Sequence, residues 1–475
     1  MTTRTWMRVN VAIAVLAGLA FRIFFVLRFP AKNSGDSPFY IELAWNWLKK
    51  GVYGVEMGSQ MVPLDTRVPG YPAFLAAVFA TTGNSPRAVM LWQVVVDLAT
   101  CCVIALMAAR LAPERSRRPA ALAALWLAAL CPFTANYTAA VLTETLVTFL
   151  TALGLLLVLE ASGEPAARLP QGGSVFSSPW FLAGIIGGLG ALVRPETPLL
   201  LAAAGVVLLI RWRRRADWQK LARAGGLMAI GLVLPLVPWA ARNWRSFNEV
   251  QFLAPRYANL PGEIVPLGFQ AWTGTWLWRY GDVYLTLWKL EEEVIPLDTI
   301  PARAFDSPDE HDRVGALLAR YNTTLTLTPN DDRLFADIAQ ERTRRHPLRT
   351  YVEIPLLRSL AMWFTPRIEL LPFSGHVFPF GSEWENDRVD LIVTLLLGLV
   401  NGAYVALGLA GAWIARGRPG CAPLILFVCL RTVFFAAFIE TPEPRYVLEC
   451  FPAVIACAAQ VFRSAPDQLS STGSG

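Results

Sequence analysis

The chain has 475 residues, of which 54% are hydrophobic and only 16% are charged, and it contains 17 Trp and 26 Phe. Soluble domains carry about 25% charged residues, so this composition excludes a disordered, fibrous or small disulfide-bonded protein and indicates a membrane protein. The 42 basic and 36 acidic residues give a net charge of +6, which is too balanced for a protein that binds nucleic acid.

Apolar runs predict about ten transmembrane helices. A helix needs about 20 apolar residues to cross a bilayer. Two of the runs, the third and the fifth, are short for a span. The fold class predicted is therefore an all-α polytopic membrane protein, with spans near 9–29, 88–110, 119–134, 139–160, 179–195, 196–211, 224–242, 389–415, 421–440 and 446–463.

The distribution of Lys and Arg among the connections predicts the orientation. Short loops rich in these residues stay in the cytoplasm. With the N-terminus inside, one set of connections carries most of the loop charge, whereas the short connections of the other set carry only Arg194 and Arg445. The basic residues on the cytoplasmic set are Arg4, Arg8, Arg110, Arg115, Arg117, Arg118, Arg168, Arg211, Arg213, Arg214, Arg215, Lys220, Arg223, Arg416, Arg418 and Arg463.

This orientation leaves two long segments outside, 30–87 and 243–388. The first contains a periodic stretch ended by Gly51 that predicts an amphipathic helix on the membrane surface. A second interfacial helix is predicted over Pro69 to Gly83, which is too short for a confident span. In the later segment, the acidic residues of 279–345 predict a small α-rich insertion.

The chain is therefore expected to divide into four parts. Residues 1–247 form an N-terminal transmembrane module that includes the first outer loop. Residues 248–388 form an extracytoplasmic insertion followed by a membrane-surface segment, His346 to Phe380. The C-terminal transmembrane helices occupy 389–463, and the polar tail 464–475 is expected to be disordered.

Five charged residues fall at the outer membrane level, where ionisable side chains are costly and therefore candidates for function. Asp36 or Ser37 would cap a helix that begins near Pro38. Asp36 would alternatively act as a general base, and the two roles are compatible. Glu144 would be a buried acid paired with an arginine, inside or outside a substrate cavity. Arg194, Arg242 and Arg445 would snorkel to lipid headgroups or bind a phosphate through forked hydrogen bonds.

Other polar or small residues are expected to have structural roles. Asp97 and Arg431 lie near the middle of spans and are expected to be satisfied inside the bundle. The glycines from Gly184 to Gly190 are expected to permit close helix packing. The cysteines lack the paired spacing of a zinc site, and the three isolated histidines give no metal triad.

Several segments resemble the membrane glycosyltransferases of the C fold, in the group that includes the lipid A aminoarabinose transferases and the protein O-mannosyltransferases. The resemblance rests on GDSPFYIELAWNWLKKGVY and RVPGYPAFLA in the first outer loop, TETL at the fourth span, PWAARNWRSF after the seventh and PEPRYVLECFPA entering the last. In order and topology it covers most of residues 1–247 and 389–463.

The resemblance implies transfer of a sugar from a polyprenyl-phosphate carrier to an acceptor hydroxyl, with inversion, at the extracytoplasmic face. It implies that Asp36 is the base, that Glu144 is the second acid, and that Arg194, Arg242 and Arg445 contact the donor phosphate. Many members have a second acid after the first, but Ser37 follows Asp36 here. We therefore expect no cofactor, with a divalent metal as the alternative.

The expected partners are the carrier-linked hexose or pentose, a glycan, lipid or protein acceptor and the lipid bilayer, with no nucleic acid. The 37 Arg against 5 Lys hint at a GC-rich bacterial genome, so the expected location is the bacterial inner membrane. Two alternatives stay open: a lipid-linked oligosaccharide polymerase or ligase, which also has many spans and a large outer loop, and a polytopic transporter, for which the lopsided chain shows no paired halves.

Overall fold

A computed structural model describes residues 3–31, 35–163, 175–211, 218–257 and 264–462. Helix makes up 74% of the structure, which confirms the predicted all-α class. The predicted disordered tail 464–475 lies outside the described residues, as do Arg168, Arg213, Arg214, Arg215 and Arg463, which contribute to the predicted orientation, and the side chain of Arg4.

The chain divides into two compact units. The first consists of Met1–Pro255, Pro366–Val428 and Leu448–Gly475, and the second consists of Arg256–Thr365 and Cys429–Val447. The described helices of the first unit are α1 (Thr3–Arg28), α2 (Ser37–Lys50), α3 (Gly70–Thr82), α4 (Pro86–Leu111), α5 (Arg117–Ala129), α6 (Pro132–Tyr137), α7 (Glu144–Gly163), α8 (Pro179–Ala191), α9 (Leu199–Arg211), α10 (Trp218–Val233), α11 (Val237–Phe247), α17 (Phe380–Asn386), α18 (Arg388–Ala415) and α20 (Phe451–Ala458). Those of the second are α12 (Leu267–Gly274), α13 (Tyr280–Leu285), α14 (Pro308–Thr324), α15 (Pro329–Arg345) and α16 (Ile354–Trp363), and α19 (Cys421–Phe438) contributes to both.

The described residues contain seven helices that are long and apolar enough to cross a membrane: Thr5–Arg28, Pro86–Leu111, Glu144–Ser162, Trp218–Phe247, Arg388–Ala415, Cys421–Phe438 and Pro444–Phe462. Each coincides with a predicted span. Shorter apolar helices occur at Gly70–Thr82, Pro179–Ala191 and Leu199–Arg211. The chain is a multi-pass membrane protein, and the number of about ten spans stays a prediction.

The predicted span 119–134 is interrupted in the structure. Helix α5 ends at Ala129, and the short α6 begins at Pro132. Proline cannot donate a backbone hydrogen bond, and it disfavours a helical conformation in the residue before it. Cys131 accordingly has an extended backbone, with φ −68° and ψ 110°, so the helix stops short of the predicted end.

Small residues bring α8 and α10 close together. A Cβ atom on Gly184 would lie 2.4 Å from the carbonyl oxygen of Met228, and one on Gly188 would lie 2.4 Å from that of Leu232. No larger residue fits at either position without a shift of the backbone. The glycines permit close helix packing, as the sequence predicts.

The segment 30–87, the predicted first outer loop, carries one feature that the sequence did not predict. After α2, which ends at the left-handed Gly51 (φ 69°), strands β1 (Gly54–Met57) and β2 (Gln60–Pro63) pair antiparallel, with Val55 opposite Val62. Gly58, with φ 64°, lies in the turn between them. Helix α3 follows, and its Tyr71 and Phe79 are buried in the core of the first unit.

The second unit has a separate hydrophobic core, which confirms the predicted α-rich insertion. Its largest members are Phe269, Trp272, Trp276, Tyr321 and Phe335, all at most 1% exposed. They come from α12, the segment that follows it, α14 and α15, so the amphipathic helices of the acidic region bury their apolar faces against one another.

Candidate functional site

Asp36 lies at the N-cap position of α2, but its side chain does not make the expected capping hydrogen bond. Its Oδ1 instead accepts a hydrogen bond of 3.0 Å from Nη2 of Arg67, which follows the hairpin. The Asp36 side chain is 35% exposed and that of Arg67 28%. The carboxylate therefore has a cationic partner and remains accessible from outside the protein.

Tyr40 lies one helical turn after Asp36 on α2. Burial, and secondly the charge of Asp36, raise the pKa of its phenol to about 12. The charges of Arg67, Arg194 and Glu144 also act on this phenol. The charges of both pairs, Asp36 with Arg67 and Glu144 with Arg194, therefore act on the same phenol.

Glu144, the first residue of α7, is 1% exposed and belongs to a buried polar cluster. Its Oε1 accepts a hydrogen bond of 2.7 Å from Nη2 of Arg194, whose Nε donates to the Thr143 hydroxyl at 2.9 Å. Nη1 of Arg194 donates to Glu449 at 3.3 Å, and Glu449 is fully buried. The structure therefore contains the pair between Glu144 and an arginine that the sequence analysis considered.

Three acidic side chains lie within 4 Å of the Arg194 guanidinium. The Arg194 guanidinium faces Glu144 and Glu449 directly, and Glu196 lies 3.9 Å from its Nη1. Arg194 itself is 9% exposed. Its described contacts are those of a buried counterion, and they differ from those of an arginine that snorkels to lipid headgroups.

Arg242, on α11, contacts the hairpin. Its Nη2 donates to the carbonyl oxygen of Tyr53 at 2.7 Å, and its Nη1 donates to that of Leu64 at 2.8 Å. The guanidinium also lies 5.4 Å from the ring of Tyr53 and 5.0 Å from that of Trp239. These contacts fix the arginine against the two ends of the hairpin.

An apolar cavity of about 680 Å³ opens beside Arg242 within the first unit. Its walls come from α2, the hairpin, α3, α7, α8 and α11, and include Trp47, Tyr53, Leu150, Leu189 and Trp239. A concave apolar surface with one cationic group at its edge suits an amphipathic ligand with an anionic head.

Arg445 belongs to the second unit. Its Nε lies 2.6 Å from Oε2 of Glu443, and its guanidinium lies 5.7 Å from the ring of Tyr446. The Tyr446 hydroxyl donates to the same Glu443 side chain at 2.8 Å. The structure thus places Glu144 and Arg194 in direct contact, and Asp36 and Arg242 in the same unit with other partners. Arg445, in the second unit, lies beside Glu443 and Tyr446.

Three residues near the candidate acids were not singled out from the sequence: Arg67, Tyr40 and Glu449. Arg67 stands in the quoted stretch RVPGYPAFLA and Glu449 in PEPRYVLECFPA, so both lie inside the segments that carry the resemblance. Arg67 and Glu449 could have been found by searching each of these segments for residues opposite in charge to the candidate site residues. Asp97, by contrast, has the structural partner expected of it, because Arg22 binds it at 2.6 Å with both side chains buried.

The described residues contain no group of three or more His, Cys, Asp or Glu side chains that could hold a metal ion. Asp36 has Arg67 as its charged partner. Metal dependence therefore stays a prediction for experiment.

The part of the chain that matches a known protein family contains several residues of the candidate site. Residues 66–239 match the family of dolichyl-phosphate-mannose-protein mannosyltransferases. This stretch contains Arg67, Glu144, Arg194 and Trp239. No curated protein matches the sequence significantly.

Solved structures resemble the whole chain. The oligosaccharyltransferase of Archaeoglobus fulgidus tethered with an acceptor peptide aligns at 13% identity over 97% of this chain and 49% of its own, with a TM-score of 0.52. The AglB structure from the same organism, in complex with an inhibitory peptide and a dolichol-phosphate, aligns at 13% identity over 96% and 50%, with a TM-score of 0.51. ArnT from Cupriavidus metallidurans bound to undecaprenyl phosphate aligns at 13% identity over 97% and 78%, with a TM-score of 0.38.

The two oligosaccharyltransferase structures define the fold. The chain has the C fold of membrane glycosyltransferases, which confirms the resemblance stated from the sequence. It spans about half the length of the oligosaccharyltransferase chains that it matches.

Proposed function

We propose that this protein is a glycosyltransferase that moves a sugar from a polyprenyl-phosphate carrier to an acceptor hydroxyl at the extracytoplasmic face of the membrane. The proposal rests on one observation above the others: Asp36, in the first outer loop of a C-fold chain, is a partly exposed carboxylate held by Arg67. The match of residues 66–239 to a mannosyltransferase family supports the same reaction class.

Asp36 is the proposed general base. The acceptor hydroxyl transfers its proton to the carboxylate, and its oxygen attacks the anomeric carbon. The bond between that carbon and the carrier phosphate breaks, and the polyprenyl phosphate leaves with the electron pair. A single displacement of this kind inverts the anomeric centre. General-base catalysis contributes about 10²–10⁴-fold to such a step.

Arg67 keeps the base in place. Burial, the largest single effect, would lower the pKa of its guanidinium, but the charges and hydrogen bonds of Asp36 and Tyr40 together raise the pKa above its usual value. Asp36 therefore faces a permanent cation, which orients one carboxylate oxygen and leaves the other for the acceptor.

The apolar cavity of the first unit is the proposed seat of the carrier lipid. Its aromatic and aliphatic walls suit isoprene units, and Arg242 stands at its edge. Its Nη1 donates to the carbonyl oxygen of Leu64 and to Oδ1 of Asn243, and its Nη2 donates to the carbonyl oxygen of Tyr53. Nε and the second hydrogen of Nη2 are therefore the donors proposed for the phosphate. The archaeal oligosaccharyltransferase structure with bound dolichol-phosphate supports a carrier of this kind.

The buried cluster of Glu144, Arg194 and Glu449 supports the site from within. Glu144 stays in the proposed site as the acid that positions Arg194. The predicted contacts of Arg194 and Arg445 with the donor phosphate require each arginine to leave, or to share, its present acidic partners. Substitution by Lys tests this requirement.

The proposed location is the bacterial inner membrane, and the proposed reaction uses no metal.

Turnover of a defined donor tests the proposed function. Purified protein is incubated with a polyprenyl-phosphate monosaccharide, and the lipid product is identified by mass spectrometry. Release of polyprenyl phosphate supports the proposal. Turnover only of a pyrophosphate-linked oligosaccharide, with release of polyprenyl pyrophosphate, would support the alternative of a polymerase or ligase, to which the likeness with oligosaccharyltransferases lends weight.

A further inference from the structure

The second unit contains a cavity of its own, of about 680 Å³. It lies among α12, α15, α16 and the end of α19. Unlike the apolar cavity of the first unit, it is lined by many polar groups, among them Arg256, Gln270, Arg344, Tyr351 and Arg358. Nothing in the proposed mechanism uses it.

Arg358 has a hydrogen-bonding group that the protein leaves unused. Its Nε donates to the carbonyl oxygen of Leu277 at 2.8 Å, and its Nη1 donates to that of Ile439 at 3.1 Å. Nη2 is buried and has no acceptor among the described residues, although the residue is only 5% exposed. The hydrogen bond of Nη1 caps the end of α19. The unused N–H group of Nη2 has no such structural role, and an unpaired donor is costly in a buried site.

A second residue that lines the same cavity also carries an unused group. Oε1 of Gln270, on α12, is buried and accepts no hydrogen bond within the described chain. Two residues that line this cavity, Arg358 and Gln270, therefore each carry a buried polar atom without a hydrogen-bond partner among the described residues. A ligand with both an anionic group and hydroxyl groups would satisfy the two together.

The charges of the cavity favour an anion. Arg256, Arg344 and Arg358 line it, and Glu440 is the acid among its lining residues. Glu440 lies 3.7 Å from Arg256, a residue whose side chain is 68% exposed. Burial lowers the pKa of Arg358 to about 10, and the charge of Glu440 offsets only part of this effect, so the buried guanidinium lacks a full counterion.

We propose that this cavity binds an anionic saccharide, a sugar that carries a phosphate or a carboxylate. Nη2 of Arg358, with Arg344 at the mouth, binds the anionic group, and Oε1 of Gln270 accepts a hydrogen bond from a sugar hydroxyl. Tyr351, which is exposed, offers an aromatic face to the ring. The inference rests on the proposed function only where it makes this ligand the acceptor of the transferred sugar.

Binding to the purified full-length protein in nanodiscs tests the inference. The probes are glucose 6-phosphate, glucuronate, neutral glucose and inorganic phosphate, each titrated by calorimetry. We expect saturable binding of glucose 6-phosphate or glucuronate, and we expect neutral glucose and inorganic phosphate to bind at least tenfold more weakly. The phosphorylated and carboxylated sugars distinguish the two sources of the negative charge.

Three variants locate the binding. Gly274→Leu fills the cavity without removing a charge, because a Cβ at this position meets no atom within 4 Å. It should abolish binding. Arg344→Gln should weaken binding by about ten- to a hundredfold, the value of one charged hydrogen bond. Arg333→Gln removes an equal charge from an exposed position on the same helix and should leave binding unchanged.

Arg358→Lys adds a test at the buried group itself. Lys keeps the charge but cannot reproduce the fork, so binding should weaken even where thermal unfolding shows a folded protein. Saturable binding that survives Gly274→Leu, or equal binding of inorganic phosphate and sugar phosphate, would overturn the inference. Absence of binding in a protein that turns over the polyprenyl-phosphate donor would overturn it and leave the proposed function standing. Binding without turnover would support the site and count against the function.

Discussion

Replacing Arg194 by Met would remove the cation from the most buried charged cluster of the proposed site. Glu144 and Glu449, which are 1% and 0% exposed, lie 2.7 and 3.3 Å from its guanidinium. Both carboxylates would lose this counterion and stay buried, because neither side chain can reach water while the helices remain packed. The substitution thus tests whether the cluster holds the helices in their positions.

The magnitude follows from the contacts. Removing one partner of a buried ion pair lowers the free energy of unfolding by about 3–5 kcal/mol. Because two carboxylates share Arg194, the loss caused by Arg194→Met should lie at or above the upper end of this range. Arg194→Lys keeps the charge but cannot donate in the fork to Glu144, Thr143 and Glu449 together. Losing one charged hydrogen bond costs about 1.5–3 kcal/mol, which makes Lys the milder change.

Equilibrium unfolding in mixed detergent micelles measures both variants, and a double-mutant cycle with Glu144→Gln isolates the pair. Gln keeps the size of the side chain and removes the charge. The effect of Glu144→Gln on the free energy of unfolding should be more favourable in the Arg194→Met background than in the unmodified protein, by about 1.5–3 kcal/mol. Equal effects of Glu144→Gln in the two backgrounds would show that the ion pair does not contribute to stability and would refute the reasoning.

The other predictions concern orientation, donor binding and metal. A cysteine at Asp312 should react with an impermeant thiol reagent in intact cells and one at Gln219 should not; the reverse would overturn the orientation. Arg242→Lys should weaken binding of a polyprenyl-phosphate donor by about ten- to a hundredfold, because Lys lacks the fork. Arg445→Lys should weaken donor binding in the same way if this arginine contacts the phosphate. Unchanged donor binding would show that Arg445 serves only as the ion-pair partner of Glu443. Turnover should persist after treatment with a chelator, and activity restored only by added divalent metal would contradict a metal-independent reaction.

The sequence predicts the transmembrane architecture well, because long apolar runs have few alternatives to a spanning helix. The interruption at 119–134 has a local cause, since Pro132 separates α5 from α6. The hairpin at 54–63 was missed because its strands have four residues each, too few for an alternating pattern to stand out.

The candidate site shows what a single sequence leaves open. Its acidic and basic residues can be recognised because charge is costly at membrane level, but their pairing depends on which helices meet. Arg67 is 31 residues from Asp36, and Glu449 is 255 residues from Arg194. No local pattern connects residues so far apart, and charge alone cannot show that Arg194 has two acidic partners.

The central claim is that Asp36 removes the proton from the acceptor, and the turnover rate of Asp36→Asn tests it most directly. The rate is measured as polyprenyl phosphate released from a defined donor and acceptor, beside Glu42→Gln as a control that removes a charge from an exposed position of the same helix. We predict that Asp36→Asn folds and that its turnover falls by about two to four decades, whereas Glu42→Gln keeps its turnover. A folded Asp36→Asn protein with near-normal turnover would contradict the account.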